Sequence, residues 1–325
     1  MTPGYREDVP YEIVGDRSTT PGERRSYWLT GSALQATDGL ATSRYAHGRA
    51  EEYIAGRMTS DELVNDIRGH YRSSGEERSP DAEADIVAAR TAGVLEKTAF
   101  ALRPAQLAAI HRALFDGVLP EEWVGKLRSV NLSKPEPVLG GRSVEYADFS
   151  MVAATLDYDF GIEASRAYTP PLDEEQISRF AGFISNVWQA HPFREGNTRT
   201  VAVFSQLYLR HLGNDVTNDP FIENSVLYRD ALVRASFSSI ELGVEEDRSF
   251  IERFYENVAL GAHHVLNPDD LNVHGIRIDA DLGYRDEPNL EEDAVEAAGA
   301  AGASVIDSPT AEIVRGGARS RRDAR

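Results

Sequence analysis

The sequence predicts a mainly helical fold, and three observations carry that expectation. Apolar residues recur at helical spacing through most of residues 82–261. Turn and cap signals punctuate the stretch before them, at Asp38-Gly39, Gly56 and Thr59-Ser60. Only residues 130–146 break the helical text: two short apolar or β-branched segments flank Pro135, Pro137 and the Gly140-Gly141 turn, which reads as an irregular hairpin.

Taken in order, residues 1–25 are rich in Pro, Gly and charge and are expected to be extended. Residues 26–75 read as a small helical unit, in which Leu63, Ile67 and Tyr71 share one helix face behind Thr59 and Ser60 as N-caps. A polar linker over 73–81 leads to the main body, residues 76–265. Its helices are predicted over 82–97, 104–115, 148–158, 173–190, 198–212, 224–235 and 247–261. Beyond Asn267 the chain turns acidic, then Ala/Gly-rich, then basic over 316–325, so 266–325 is expected to be a tail without stable structure.

Composition removes several function classes. A net charge of −19 works against a nucleic-acid partner, which needs a basic face. With no cysteine, disulfides, thiolate metal sites and thiol nucleophiles are excluded. No apolar run is long enough to span a bilayer, and the N-terminus lacks the apolar core of a secretory signal, so a cytoplasmic protein without a membrane partner is expected.

The chemistry concentrates in HPFREGNTR, residues 191–199. The preceding helix carries Ile177, Phe180, Ile184, Val187 and Trp188 on one face and stops at His191-Pro192. The following one places Val201, Phe204 and Leu207 inward. A glycine-bearing turn thus opens directly onto a helix N-terminus, where free N–H groups and the dipole favour an anion. Arg199 can pair with phosphate oxygens, Asn197 can donate, and Gly196 permits close backbone approach. Glu195 offers the hard oxygen Mg²⁺ prefers, and His191, with an ordinary pKa near 6.5, suits a general base at the mouth of the site. Each has a plainer reading alone: a helix end, a turn, a solvated arginine. The combination in this order is specific.

That loop resembles the signature of the Fic (Fido) family, HPFx[DE]GNGRxxR, and further similar text lies at residues 110–118, 123–134 and 221–237. The resemblance covers about residues 82–261. It implies a Fic-type helical bundle with a small β-hairpin flap, preceded by the small helical unit, and a protein adenylyltransferase (AMPylation) activity. It further implies ATP and Mg²⁺, with His191 deprotonating a Ser, Thr or Tyr hydroxyl of a target protein, the chain itself included. Glu195 would hold the metal. Arg194, Gly196, Asn197, Thr198 and Arg199 would surround the nucleotide phosphates, with Asn224 and Tyr228 in the nucleotide pocket. The flap residues Ser133, Lys134, Val138 and Leu139 would align the target backbone. Thr198 replaces the pattern's second glycine and Ala202 its second arginine. The alternatives are a nucleotide-binding regulatory protein that is catalytically weak or inactive, and transfer of another nucleotidyl or phosphate group.

Residues 27–56 are similar to the helical antitoxins that silence Fic enzymes through [ST]xxxE[GN]. Here Leu34 and Asp38 stand in place of the Ser/Thr and Glu, and the arginine partner is absent at Ala202. Asp38 is the candidate regulatory residue, able to meet Arg199 or the metal. A structural role for the unit is the stronger expectation, because a shorter acid without its usual arginine has little to hold.

Overall fold

The computed structural model describes residues 19–97 and 99–273. All of them fall in the first of two compact units, Met1–Gly283; the second, Tyr284–Arg325, lies outside the described residues, as does the expected extended segment up to residue 18.

The first helix, α1 (Pro21–Leu34), begins inside the segment expected to be extended. Thr20 and Glu23 form a capping box around its N-terminus, with Pro21 in the first turn, where a missing N–H does no harm. Then follow α2 (Arg44–Ile54) and α3 (Ser60–Ser74), the latter opened by a Thr59–Glu62 capping box and closed by Gly75 at φ 76°. Both sides of the expected boundary at residues 75–76 belong to the one compact unit, joined through this glycine turn. Across it α1 and α3 pack along α4 (Pro80–Lys97), whose Ala82, Ile86 and Ala89 share a core with Trp28, Tyr53, Leu63, Ile67 and Tyr71. Asp85 of α4, fully buried, accepts bonds from the Ser43 amide, the Ser43 hydroxyl and the Tyr71 hydroxyl, which tie the unit to that helix.

The main core is built from α5 (Pro104–Phe115), α6 (Val152–Ala164), α7 (Glu174–Ala190), α8 (Asn197–His211), the short α9 (Asp219–Glu223), α10 (Ser225–Ala235) and α11 (Ser249–Leu260). The helix predicted over 148–158 starts later and runs longer. Asp148 caps a 3-10 turn at Phe149–Met151 before α6 begins, and Leu156, Phe160 and Glu163 carry the buried face on. Helix α8 is buried on every side from Asn197 to Leu209, so it is the axis around which the others pack.

Residues 130–146 do not form a paired hairpin. A single antiparallel bridge, Glu136 to Arg142, closes a 3-10 turn at Pro137–Leu139 whose Gly140 and Gly141 have positive φ. Pro135 and Pro137 supply no N–H to a ladder, which limits the pairing to that bridge. Of the expected unstructured tail, residues 268–271 form a 3-10 turn with Leu271 buried, and the Val273 amide donates to the Val138 carbonyl; residues 274–325 lie outside the described residues.

Candidate active site

Helix α7 ends on His191, which takes a left-handed conformation (φ 47°, ψ 61°) that a non-glycine residue adopts only when its surroundings hold it. The imidazole is not at an open mouth. It is buried, with its face against the Tyr146 ring at 4.0 Å and its edge toward Trp188. Nδ1 lies 3.3 Å from the Trp188 carbonyl, so it carries the proton and donates there. Nε2 is left as a bare acceptor, buried and without a hydrogen-bond partner. Burial first, then the Lys134 ammonium, push the imidazole pKa well below its ordinary value. The expectation of a ring titrating near 6.5 is thereby corrected: the ring is neutral at pH 7 because a charge there would be desolvated.

The loop after it is folded on itself. Phe193 stacks on His111 at 4.0 Å and is fully buried, which pins the loop as expected. His111 accepts from the Gly125 amide at Nδ1 and, with Nε2 protonated, donates to the Glu195 carbonyl. Burial lowers its pKa to about 4, so it is a neutral strut. The Asn197 side chain closes the loop by accepting from the Phe193 amide at 2.8 Å and donating to its carbonyl at 2.7 Å. That fold-back uses its oxygen and one of its two amide N–H groups within the loop. Gly196, at φ 71°, could not carry a side chain: a Cβ there would sit 2.5 Å from the Phe115 ring. Thr198 accepts from the Trp188 indole N–H at 3.0 Å. Arg194 turns outward over the Trp123 ring, 4.7 Å from its centre.

At the far end, Arg199 has no exposed surface, and three carboxylates surround it. Asp38 Oδ2 lies 2.5 Å from Nε, off the hydrogen-bond line, so the contact is a close ion pair. Glu83 of α4 lies at 2.9 Å and Glu195 at 3.6 Å, while the Gln35 amide oxygen accepts at 3.0 Å and the Phe115 ring lies beneath the guanidinium. Burial opposes the arginine's charge, but the carboxylates outweigh it and hold the group protonated. The crowding falls on Glu195, whose pKa is pushed up to about 7 by burial, opposed by Arg199 and reinforced by Glu83 and Asp38. Asp38 therefore does meet Arg199, which corrects the expectation that it had little to hold.

Two pocket residues separate from the site. Tyr228 is a core residue, its hydroxyl 3.0 Å from that of Tyr255 and its ring packed on Phe221 and Phe254. No part of it is left to line a nucleotide pocket. Asn224 is half-exposed at the junction of α9 and α10. Of the flap residues, Ser133 is exposed, whereas Val138 and Leu139 are buried in the 3-10 turn and present no free strand edge. Lys134 donates its amide to the Ser143 hydroxyl.

The loop and the turn beside it now have their geometry, and a comparison with known families bears on both. Residues 101–209 match the Fic/DOC family model. The matched stretch contains His191, Arg199 and the whole 130–146 turn, but neither Asp38 nor Tyr228. Solved structures similar to this chain include the N-terminal Fic domain of Bep8 from Bartonella sp. 1-1C, at 17% identity and a TM-score of 0.38 over 49% of this chain and 73% of that one. A second is the Fic domain of a Bep effector from Bartonella sp. AR 15-3, at 19% identity and a TM-score of 0.41 over 52% and 75%. A third is BepC from Bartonella tribocorum with bound AMPPNP, at 20% identity and a TM-score of 0.36 over 48% and 74%. No curated protein matches. Among the described residues no helix is long and apolar enough to cross a membrane.

Tyr146, Glu83 and Gln35 were not legible as site residues. Nothing in their local text distinguishes them, since each reaches the loop from a separate element.

Proposed function

We propose that this chain is a Fic-type protein adenylyltransferase captured in a closed state. The observation that carries the reading is the His191 Nε2 atom, buried, unprotonated and unpartnered, one loop away from the N-terminus of α8. A neutral imidazole whose Nδ1 proton is held by the Trp188 carbonyl presents Nε2 as the atom able to take a proton from a donor. A Ser, Thr or Tyr hydroxyl of a target protein is that donor. Its proton passes to Nε2 as its oxygen bonds to the α-phosphorus of ATP; the bond from that phosphorus to the bridging oxygen breaks, and pyrophosphate leaves. The backbone at Gly196–Thr198 binds the phosphates, Arg199 steadies the leaving group, and the segment at Ser133 and Lys134, exposed at Ser133, receives the target.

The donor set suits Mg²⁺ held through one carboxylate together with substrate phosphates: Glu195 is a hard oxygen ligand in a locally acidic cluster. When bound, the ion supplies neutralisation of phosphate charge. Asp38 is the regulatory residue in this reading, because it and Glu83 occupy the cation that the leaving phosphates need.

The test is incubation of the purified protein with α-labelled ATP and Mg²⁺. Label should appear on protein, as an AMP adduct on Ser, Thr or Tyr by mass spectrometry. It should fall at least 100-fold in His191→Ala and rise in the double variant D38A/E83Q. A second reading has its own support in the occlusion of both loop ends: a nucleotide-binding regulatory protein that does not transfer. Tight ATP binding without label in both wild type and D38A/E83Q selects it. Parallel reactions with UTP, GTP and γ-labelled ATP identify any other transferred group.

A further inference from the structure

Arg128 lies in the segment between α5 and the 130–146 turn, is 5% exposed, and makes no contact with the acidic cluster around Arg199. Its guanidinium gathers acceptors from three separate pieces of chain. Nε donates to the His191 carbonyl at 2.8 Å, and Nη2 reaches the Ala190 carbonyl at 3.4 Å. Nη1 donates to the Val130 carbonyl at 2.7 Å, with Asn131 Oδ1 at 3.5 Å, and Nη2 donates to the Ala147 carbonyl. The Arg128 amide adds a bond to the Pro192 carbonyl at 2.9 Å. Val130 and Ala147 are the two feet of the flap. Asn131 ties those feet together, donating to Asp148 and accepting from the Phe149 amide. Next to Ala147, Tyr146 stacks on the imidazole face.

We infer that Arg128 is a positioning residue that makes the orientation of His191 depend on where the flap stands. Two features support this beyond an ordinary helix C-cap. The carbonyl it holds belongs to a non-glycine residue at positive φ, a conformation that returns to ordinary values once released. And the same planar fork spans the helix end and both flap feet, a geometry that a single lysine nitrogen cannot reproduce. A displacement of the flap by a bound polypeptide would thus pull on the His191 backbone and lift Tyr146 from its ring together. The inference rests on the reading of His191 as the base, and its test is read without catalysis.

The experiment follows the His191 ring ¹⁵N resonances in the full chain for wild type, Arg128→Lys and Asn131→Ala. Asn131→Ala loosens the flap feet without contacting His191, and the double variant R128K/N131A shows whether Arg128 carries the effect to the ring. The expected result is a clear shift or broadening of the His191 ring signals in Asn131→Ala, and little or no further change when Asn131→Ala is added to Arg128→Lys. If transfer is active, kcat falls at least tenfold in Arg128→Lys with a smaller change in ATP KM. Unmoved ring signals in Asn131→Ala, or the same Asn131→Ala shift with and without Arg128→Lys, overturn the inference. Should Arg128→Lys fail to fold, native-state hydrogen exchange of the wild type decides: the His191, Arg128 and Phe149 amides should open as one unit, and flap opening that leaves the His191 amide protected overturns it. Coupled ring signals without any AMP transfer would retain the inference and remove the proposed activity.

Discussion

The two ends of the loop 191–199 are closed by different physics. At the His191 end the cover over the ring is aromatic: Tyr146 and Trp188 exclude water, and the imidazole loses its basicity first through burial and then through the Lys134 ammonium. At the Arg199 end the cover is ionic: Asp38 and Glu83 arrive from two other helical elements and neutralise a guanidinium that has no exposed surface. An apolar cover opens with a modest loss of stacking. An ionic one leaves uncompensated buried charge whenever a single member is taken away. The ends should therefore respond to mutation by different amounts and with different pH dependence.

The largest effect is expected from Arg199→Met, which leaves three carboxylates without their cation. Loss of a partner from a buried ion pair costs about 3–5 kcal/mol, and urea unfolding at pH 8 should show it. Lowering the pH toward 5 should recover part of the loss, because Glu195 protonates. A pH-independent loss would contradict the ionic description.

Gly196→Ala should come next, at about 2–4 kcal/mol, combining a left-handed backbone with a Cβ pressed on the Phe115 ring. An unchanged urea midpoint would mean that the loop and α5 are not packed as described.

Glu195→Gln should act in the opposite direction. With a folded pKa of about 7 against an ordinary 4.5, protonation of Glu195 favours the native state; that stability is full below pH 4.5 and is lost as pH rises through 7. The variant escapes the loss. It should match wild type near pH 4.5 and exceed it by about 1–3 kcal/mol at pH 8, as thermal melts across that range would show. Equal stability at pH 8 would place the carboxylate in a less crowded environment.

The smallest effect belongs to the apolar end. Tyr146→Phe keeps the stack and gives up the 3.4 Å hydroxyl contact to Glu136, so about 1 kcal/mol is expected. Tyr146→Ala should speed carbethoxylation of His191 by diethyl pyrocarbonate several-fold while leaving the Arg199 cluster's pH response unchanged. A change in that response would show the two ends to be one coupled cover.

Helices with a strong local signature were readable from the chain. The helix predicted over 104–115 is found at Pro104–Phe115, and those predicted over 173–190 and 198–212 at Glu174–Ala190 and Asn197–His211. Apolar spacing, caps and proline stops are properties of neighbouring residues. The Thr20–Glu23 capping box is equally local, but it sits inside a Pro/Gly-rich stretch whose composition points to an extended chain.

The order of residues around HPFREGNTR settles which groups flank the α8 N-terminus, since a turn before a helix is built within one short segment. What those groups meet is a different matter. Glu195 reaches Arg199 from within the loop, but Asp38 and Glu83 lie far from it in the chain, and only the packing of the 3-10 turn Gln35–Asp38 and of α4 against α8 brings them to the same guanidinium. The same holds for Asn197, spent on its own loop, and for Tyr228, drawn into the aromatic core. Residue type and spacing define what a side chain can do; desolvation and long-range neighbours select which of those capacities is used, because charge and hydrogen-bond energies depend on surroundings that no local pattern encodes.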